Sequence, residues 1–163
     1  MRLLAIDPGN EESALLIYDT ESRLPVEWEK VDNVTALTMI EMSSRSENLL
    51  AIEMVASYGM AVGATVFDTC VWAGRFIERW RMGQAKFARP EHTCIYRKNV
   101  KLHLCGSTRA KDPNVRQALI DRYGPGKDKA IGKKATPGPL YGMSGDCWAA
   151  LAVAVTVAEG NEL

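Results

Sequence analysis

A mixed α/β fold is what this chain predicts. Short apolar runs separated by turn residues fill its first third, helical patterns fill most of the rest, and two apolar runs end in an acid, Asp7 and Glu53. At 163 residues the chain fits one domain, residues 1–163, long enough to bury a core without disulfides or a structural metal.

The elements follow in order. Residues 3–8 and 14–18 are apolar runs around Asp7-Pro8-Gly9-Asn10, which is turn chemistry, so the two read as a hairpin. Residues 24–31 place Val26, Trp28 and Val31 among charged residues, the pattern of a half-exposed third strand, antiparallel like the first two. A short helix is expected over 34–42, with Asn33 as its cap. Leu49-Leu50-Ala51-Ile52 then reads as a buried central strand ending at Glu53.

Residues 57–82 form a long helical pattern. Val62, Val66, Cys70, Ala73, Ile77 and Trp80 follow a three-to-four spacing, and Phe67, Val71 and Trp72 add a second apolar face. Two apolar faces call for two partners, the sheet and something else, which a second copy of the chain would satisfy. Residues 93–96 suit a short strand. Asp112-Pro113 opens a helix, with Asp112 as cap, Pro113 at the first helical position and Gly124 as the stop. Residues 124–139, rich in Gly, Pro and Lys, read as a mobile basic loop. The last helix, over 144–159, is so apolar that it must be largely buried.

Formal net charge is zero, but the zero hides a division. Residues 1–50 hold ten acids against four bases, whereas residues 97–136 hold eleven bases against three acids. Such a segment can attract a polyanion from an otherwise neutral molecule. The basic residues are expected to contact nucleic acid, with Lys101, Arg109, Lys111, Arg116, Lys127, Lys129, Lys133 and Lys134 as the candidates. The four cysteines are scattered without a C-x-x-C pair and read as reduced, mostly buried small hydrophobes. Two His-x-Cys pairs, His92/Cys94 and His103/Cys105, match no familiar zinc spacing. No apolar stretch is long enough for a membrane span and no secretory leader is read at the N-terminus, so a cytoplasmic protein is expected.

Asp7, Glu53 and Asp146, the last at the start of the buried terminal helix, occupy unusual places for acids. A carboxylate at the inner end of a buried strand loses hydration unless it is paired or binds a cation. Brought together, the three suit Mg²⁺, with Mn²⁺ as a substitute, since Mg²⁺ takes a few carboxylates and completes its octahedron with water and phosphate oxygens. Two such ions about 3.5–4 Å apart can activate water and stabilise the leaving oxygen of a phosphodiester. The residues therefore point to a nuclease.

A family resemblance supports that reading. Ala5-Ile6-Asp7-Pro8-Gly9 resembles the opening strand motif of RuvC-type Holliday junction resolvases, and Ala51-Ile52-Glu53 resembles their second acid. Val100-Lys101, Gly106, Ala110-Lys111 and Val115 are similar to the family's stretch of spaced basic and small residues, and residues 146–154 to its catalytic helix. The resemblance spans nearly the whole chain, in the right order, with the flavour of divergent phage or prophage members. It implies an RNase H-like fold and a homodimer, here through the 57–82 helix. It also implies paired nicking of four-way DNA junctions, leaving 5′-phosphate and 3′-hydroxyl ends.

By the same resemblance Asp7, Glu53 and Asp146 would be metal ligands, with Asp7 bridging both ions. Lys101 and Lys111 would act on phosphate charge, although Lys111 is one place from the usual lysine and Arg109 can share its role. One departure stands out: a second acid expected three residues after Asp146 is Ala149. Water, Asp68 or Asp112 would complete the shell, or the site would bind junctions better than it cuts them. Other readings are an RNase H-like nuclease acting on flaps, branched DNA or RNA, and a non-catalytic DNA-binding relative. A sugar-kinase-like nucleotide binder is disfavoured, because such folds need a second domain and a second phosphate loop. Residues 126–134 mimic a phosphate loop but have the wrong glycine spacing, lack the Ser/Thr and follow no strand.

Overall fold

The computed structural model describes residues 1–45, 48–57, 59–83 and 92–160. Three strands open the chain: β1 (Arg2–Asp7), β2 (Glu12–Asp19) and β3 (Leu24–Asp32). Helix α1 (Asn33–Ser44), strand β4 (Asn48–Met54), helix α2 (Ala64–Gly83) and strand β5 (His92–Tyr96) follow. Helices α3 (Arg97–Cys105), α4 (Asp112–Tyr123) and α5 (Lys127–Ala130) lead to a short hairpin, β6 (Gly132–Lys133) and β7 (Thr136–Pro137), and then to α6 (Cys147–Gly160). The main sheet has the order β3-β2-β1-β4-β5. Strands β1, β2 and β3 pair antiparallel, as expected, while β4 and β5 continue the sheet parallel to β1.

Strand alternation sorts the core into two layers. Leu3, Ala5, Leu16 and Ala51 face α6 and the α3–α4 pair, where Val100, Leu119, Leu151 and Val155 complete one buried cluster. Leu4, Ile6, Leu50 and Ile52 face the other way, against Ala36 and Ile40 of α1 and Phe76 and Trp80 of α2. Asp7 and Glu53 share the parity of Ala5 and Ala51. Both therefore point to the α6 side, at the C-terminal ends of neighbouring parallel strands.

Several expectations change. Helix α2 starts at Ala64 rather than near residue 57, after a stretch in which Gly59 takes a left-handed conformation (φ 85°). Its buried row is Ala73, Phe76 and Trp80, whereas residues 64–70 bury no side chain and Phe67 and Val71 are exposed. Residues 97–105 form a helix that the sequence pattern did not reveal, because only Val100 and Leu104 mark its buried side. Helix α4 is capped by Lys111, not Asp112: the Lys111 backbone N–H donates to Asn114 Oδ1 at 2.9 Å. The expected mobile loop over 124–139 holds α5 and the β6–β7 hairpin instead. It is anchored by buried Ala130 and Leu140, and the Leu140 N–H donates to the Ala130 carbonyl at 2.9 Å. All four cysteines are free thiols, but Cys147 alone is buried, and Cys70 and Cys94 are exposed.

Asn33 does not cap α1. Asp32 does, its carboxylate accepting from the N–H groups of Val34 and Thr35. Asn33 instead turns back and is buried against the β1–β2 turn, where its Nδ2 donates to the Gly9 carbonyl at 3.0 Å. Buried Ser13 donates its hydroxyl to Asn33 Oδ1 at 2.6 Å and accepts from the Gly9 N–H at 3.1 Å. Both polar groups of Gly9 are thus held by two side chains from different strand ends. A side chain at Gly9 would collide with the Glu12 carbonyl, so the turn needs glycine there. This clamp fixes the chain two residues beyond Asp7.

Replacing Asn33 with alanine leaves buried polar partners unmatched and should cost about 2–3 kcal/mol. Asp32→Ala should cost clearly less, as the loss of an exposed cap does. Urea unfolding of the two variants measures the difference, and equal costs would mean that Asn33 acts as an ordinary surface cap.

Candidate active site

An open cleft of about 560 Å³ lies at the C-terminal ends of β1 and β4, and all three predicted carboxylates line it. In α/β sheets ligands commonly bind outside the carboxyl ends of the strands. Asp7 ends β1 and Glu53 is the penultimate residue of β4. Asp146 sits just before α6, where its carbonyl accepts from the Ala149 and Ala150 N–H groups at 2.9 and 3.1 Å. Its side chain lines the cleft. Ala149, where the resemblance led one to expect an acid, also lines the wall.

The acids differ sharply in their surroundings. Burial pushes the pKa of Asp7 up to about 7, and the neighbouring charges of Glu53, Asp146 and Asp112 push in the same direction against Arg97. Among the described residues no donor hydrogen-bonds to the Asp7 carboxylate. Glu53 is raised by burial as well, although Arg97 opposes the shift. Arg97 Nη1 donates to Glu53 Oε2 at 3.3 Å and Nη2 donates to Asp112 Oδ1 at 2.7 Å. The bond from Arg97, helped by the charges of Arg97 and Lys101, holds the Asp112 carboxyl below its ordinary range. On the far side Lys30 of β3 pairs with Asp146 at 2.9 Å and with Glu12 at 3.3 Å.

A near-buried carboxylate with no donor, crowded by other carboxylates, lacks a positive charge, and a divalent cation fits that deficit. Oxygen ligands from Asp7, Glu53 and Asp146 are also the hard donor set that Mg²⁺ prefers. The three do not yet converge: among the described residues no three His, Cys, Asp or Glu groups stand close enough to hold an ion as they are. The same holds for the two His-x-Cys pairs. Glu53 and Asp146 are each drawn towards a cationic side chain of the protein itself.

The predicted basic residues divide into two sets. Arg116 lines the cleft, with its guanidinium stacked 4.6 Å from the centroid of Trp148, whose indole N–H is fixed by the Met143 carbonyl. Lys101, on α3, is half-buried behind the cleft with Nζ 3.9 Å from Asp112. Arg109, Lys111, Lys127, Lys129, Lys133 and Lys134 are exposed on the segment leading from α3 to the hairpin and do not line the cleft. Asp68, considered as a substitute ligand, is exposed on α2 and is not part of the cleft, whereas Asp112 is. Arg97, Lys30 and Trp148 were not singled out from sequence. Arg97 had one signal: it follows directly on a strand that ends beside Glu53.

Asp7 has a consequence for stability. Its folded pKa, about 7, lies above the ordinary 3.8, so between those values the folded state holds a proton that the unfolded chain releases. Stability of the metal-free protein therefore falls as pH rises through that window and levels off above it. Full linkage of the shift is about 4 kcal/mol; water that still reaches the carboxylate reduces this to about 2 kcal/mol. Asp7→Asn should match the parent at pH 4 and exceed its stability by that amount at pH 8 in EDTA, measured by urea unfolding. A pH-independent difference would contradict the assignment of the raised pKa to Asp7.

No protein-family model matches the chain, and no curated protein matches it. Solved structures do. The Thermus thermophilus RuvC structure aligns over 99% of this chain and 96% of its own, with a TM-score of 0.66 at 17% identity. T. thermophilus RuvC in complex with a Holliday junction substrate aligns over 98% and 96%, with a TM-score of 0.67 at 16% identity. Across its length, then, the chain has the RuvC-type, RNase H-like fold: a mixed five-stranded sheet flanked by helices.

Proposed function

We propose that this protein is a divalent-metal-dependent endonuclease that cuts branched DNA, with the four-way junction as its principal substrate. The observation that carries the proposal is the Asp7 carboxylate, nearly buried and without a donor among the described residues, beside Glu53 and Asp146 in a cleft edged by cationic side chains. The fold shared with a RuvC–junction complex supports the choice of substrate. A cytoplasmic setting in a bacterial or phage-infected cell accords with it.

In this reading Asp7, Glu53 and Asp146 hold Mg²⁺, with Asp7 central, and Mn²⁺ can replace it. Ions held there would supply water activation and charge neutralisation at the leaving oxygen, the chemistry that phosphodiester hydrolysis needs. Arg116, immobilised on Trp148, and Lys101 position the phosphate entering the cleft. Arg109, Lys111 and the lysines at 127, 129, 133 and 134 hold flanking backbone through charge alone, so their contribution should weaken with salt. The exposed Phe67 and Val71 on α2 suit a second copy of the chain, which would present two cleavage centres to the two opposed strands of a junction. Ala149 favours a second reading, in which the protein binds junctions but cuts them slowly.

Labelled four-way junction, linear duplex and RNA–DNA hybrid, each with Mg²⁺ and with EDTA, test the substrate. Symmetric paired cuts in the junction are expected with Mg²⁺ only, and Asp7→Asn should lower the rate by at least about a hundredfold while retaining binding. Binding without cleavage in the parent would establish the second reading. Preferential cleavage of hybrid or duplex would remove the junction assignment and keep the nuclease.

Sedimentation of the parent should give a dimer, and a Phe67→Asp/Val71→Asp double variant a folded monomer. An unchanged dimer in the variant would exclude this face as the interface.

A further inference from the structure

The cleft carries its own cations, and they sit on the carboxylates that the proposed function assigns to metal. Arg97 Nη1 reaches Glu53, and Lys30 Nζ reaches Asp146. Asp7, between them, has neither kind of partner among the described residues. The two cations come from opposite sides. Arg97 starts α3 immediately after β5, whereas Lys30 stands on β3, at the other end of the sheet order. The Lys30–Asp146 pair is not a fold-stabilising strut, since both side chains are about half exposed, whereas Arg97 and Glu53 are more buried. Exposed ion pairs contribute little to stability.

Guanidinium and ammonium groups donate equally well to carboxylate and to phosphate oxygens. A divalent cation entering the cleft must displace Arg97 from Glu53 and Lys30 from Asp146, leaving the two side chains, still held by Asp112 and Glu12, each one acceptor short beside a newly bound cation. A DNA phosphate entering the same cleft offers those two side chains a replacement acceptor. Both changes therefore favour each other.

Resting on the metal-site reading above, we propose that Arg97 and Lys30 are positioning residues that exchange between the metal's carboxylates and the substrate's phosphates. In the free protein they compete with the divalent ion. With DNA bound they turn to the backbone, and Glu53 and Asp146 are released to the metal. The metal is thus loaded tightly only where there is a strand to cut. Linkage requires the effect to be reciprocal: the factor by which DNA tightens metal binding equals that by which metal tightens DNA binding.

Mn²⁺ binding to the DNA-free protein, followed by electron paramagnetic resonance, tests the competition without any cleavage. Arg97→Gln should bind Mn²⁺ about tenfold more tightly than the parent, Lys30→Met about threefold more tightly, and Arg97→Lys close to the parent. Asp7→Asn serves as the control that defines binding at this site. Junction affinity measured in Ca²⁺ and in EDTA supplies the reciprocal readout: the gain on adding Ca²⁺ should be smaller in Arg97→Gln and Lys30→Met than in the parent. Asp7-dependent Mn²⁺ binding that is unchanged or weaker in both variants would make Arg97 and Lys30 mere struts, overturning this inference while the metal site stands. Mn²⁺ binding that ignores Asp7 in every variant would overturn the metal site itself. Should Arg97→Gln fail to fold, Lys30→Met, a change at an exposed position, decides the matter alone.

Discussion

A single carboxylate that the fold nearly buries, with no donor among the described residues, organises this molecule. Asp7 closes β1, the middle strand of the sheet, and strand parity turns it to the side covered by α6. The same parity turns Glu53 towards it from the adjacent parallel strand. Nothing in the backbone can rotate the pair away without turning Leu3, Ala5, Leu49 and Ala51 out of the core. The cost of keeping Asp7 there is electrostatic, and the Ser13–Asn33 clamp on Gly9 supplies the rigidity that holds the turn against it.

Charge in this chain is arranged for that cleft. The acid-rich first third provides Asp7 and the paired Glu12–Lys30, and the base-rich later segment provides Arg97, Lys101 and Arg116. The neutral total conceals two charge-biased segments, parts of which meet where α3, α4 and the start of α6 approach the strand ends. Compensation by flexible side chains differs from compensation by a fixed metal in one respect. Side chains can leave when a competing anion arrives, so the site can remain stable while empty and become strongly anionic when occupied by substrate.

Much of this was legible in the sequence because its signals are local. The alternation in β1 to β3, the apolar run before Glu53 and the continuous apolar character of α6 each need only a few adjacent residues to be read. The three carboxylates were legible for the same reason, as acids at the ends of buried elements. Where the reading failed, two outcomes had nearly equal local chemistry. Asp32 and Asn33 are both good caps, and only the packing of β1–β2 decides which one caps and which one turns inward. Val62 keeps helical spacing with Val66 of α2, yet the chain enters the helix only at Ala64. Lys111 and Asp112 exchange roles at α4 by one residue. Lys30 lay beyond reach, and Arg97 showed only its place after β5, since their importance comes from carboxylates more than 100 and 44 residues away in sequence being brought to one end of the sheet.

A crystal of the DNA-free protein soaked in Mn²⁺ decides whether Asp7 holds a metal, through the anomalous signal of the ion and the position of the Arg97 side chain in the same map. An ion touching Asp7 is expected, with Glu53 drawn to it and Arg97 moved off Glu53. An ion bound elsewhere would rule out the metal role of Asp7, and one seated at Asp7 while Arg97 keeps its bond to Glu53 and Lys30 its bond to Asp146 would rule out the exchange of its cationic neighbours.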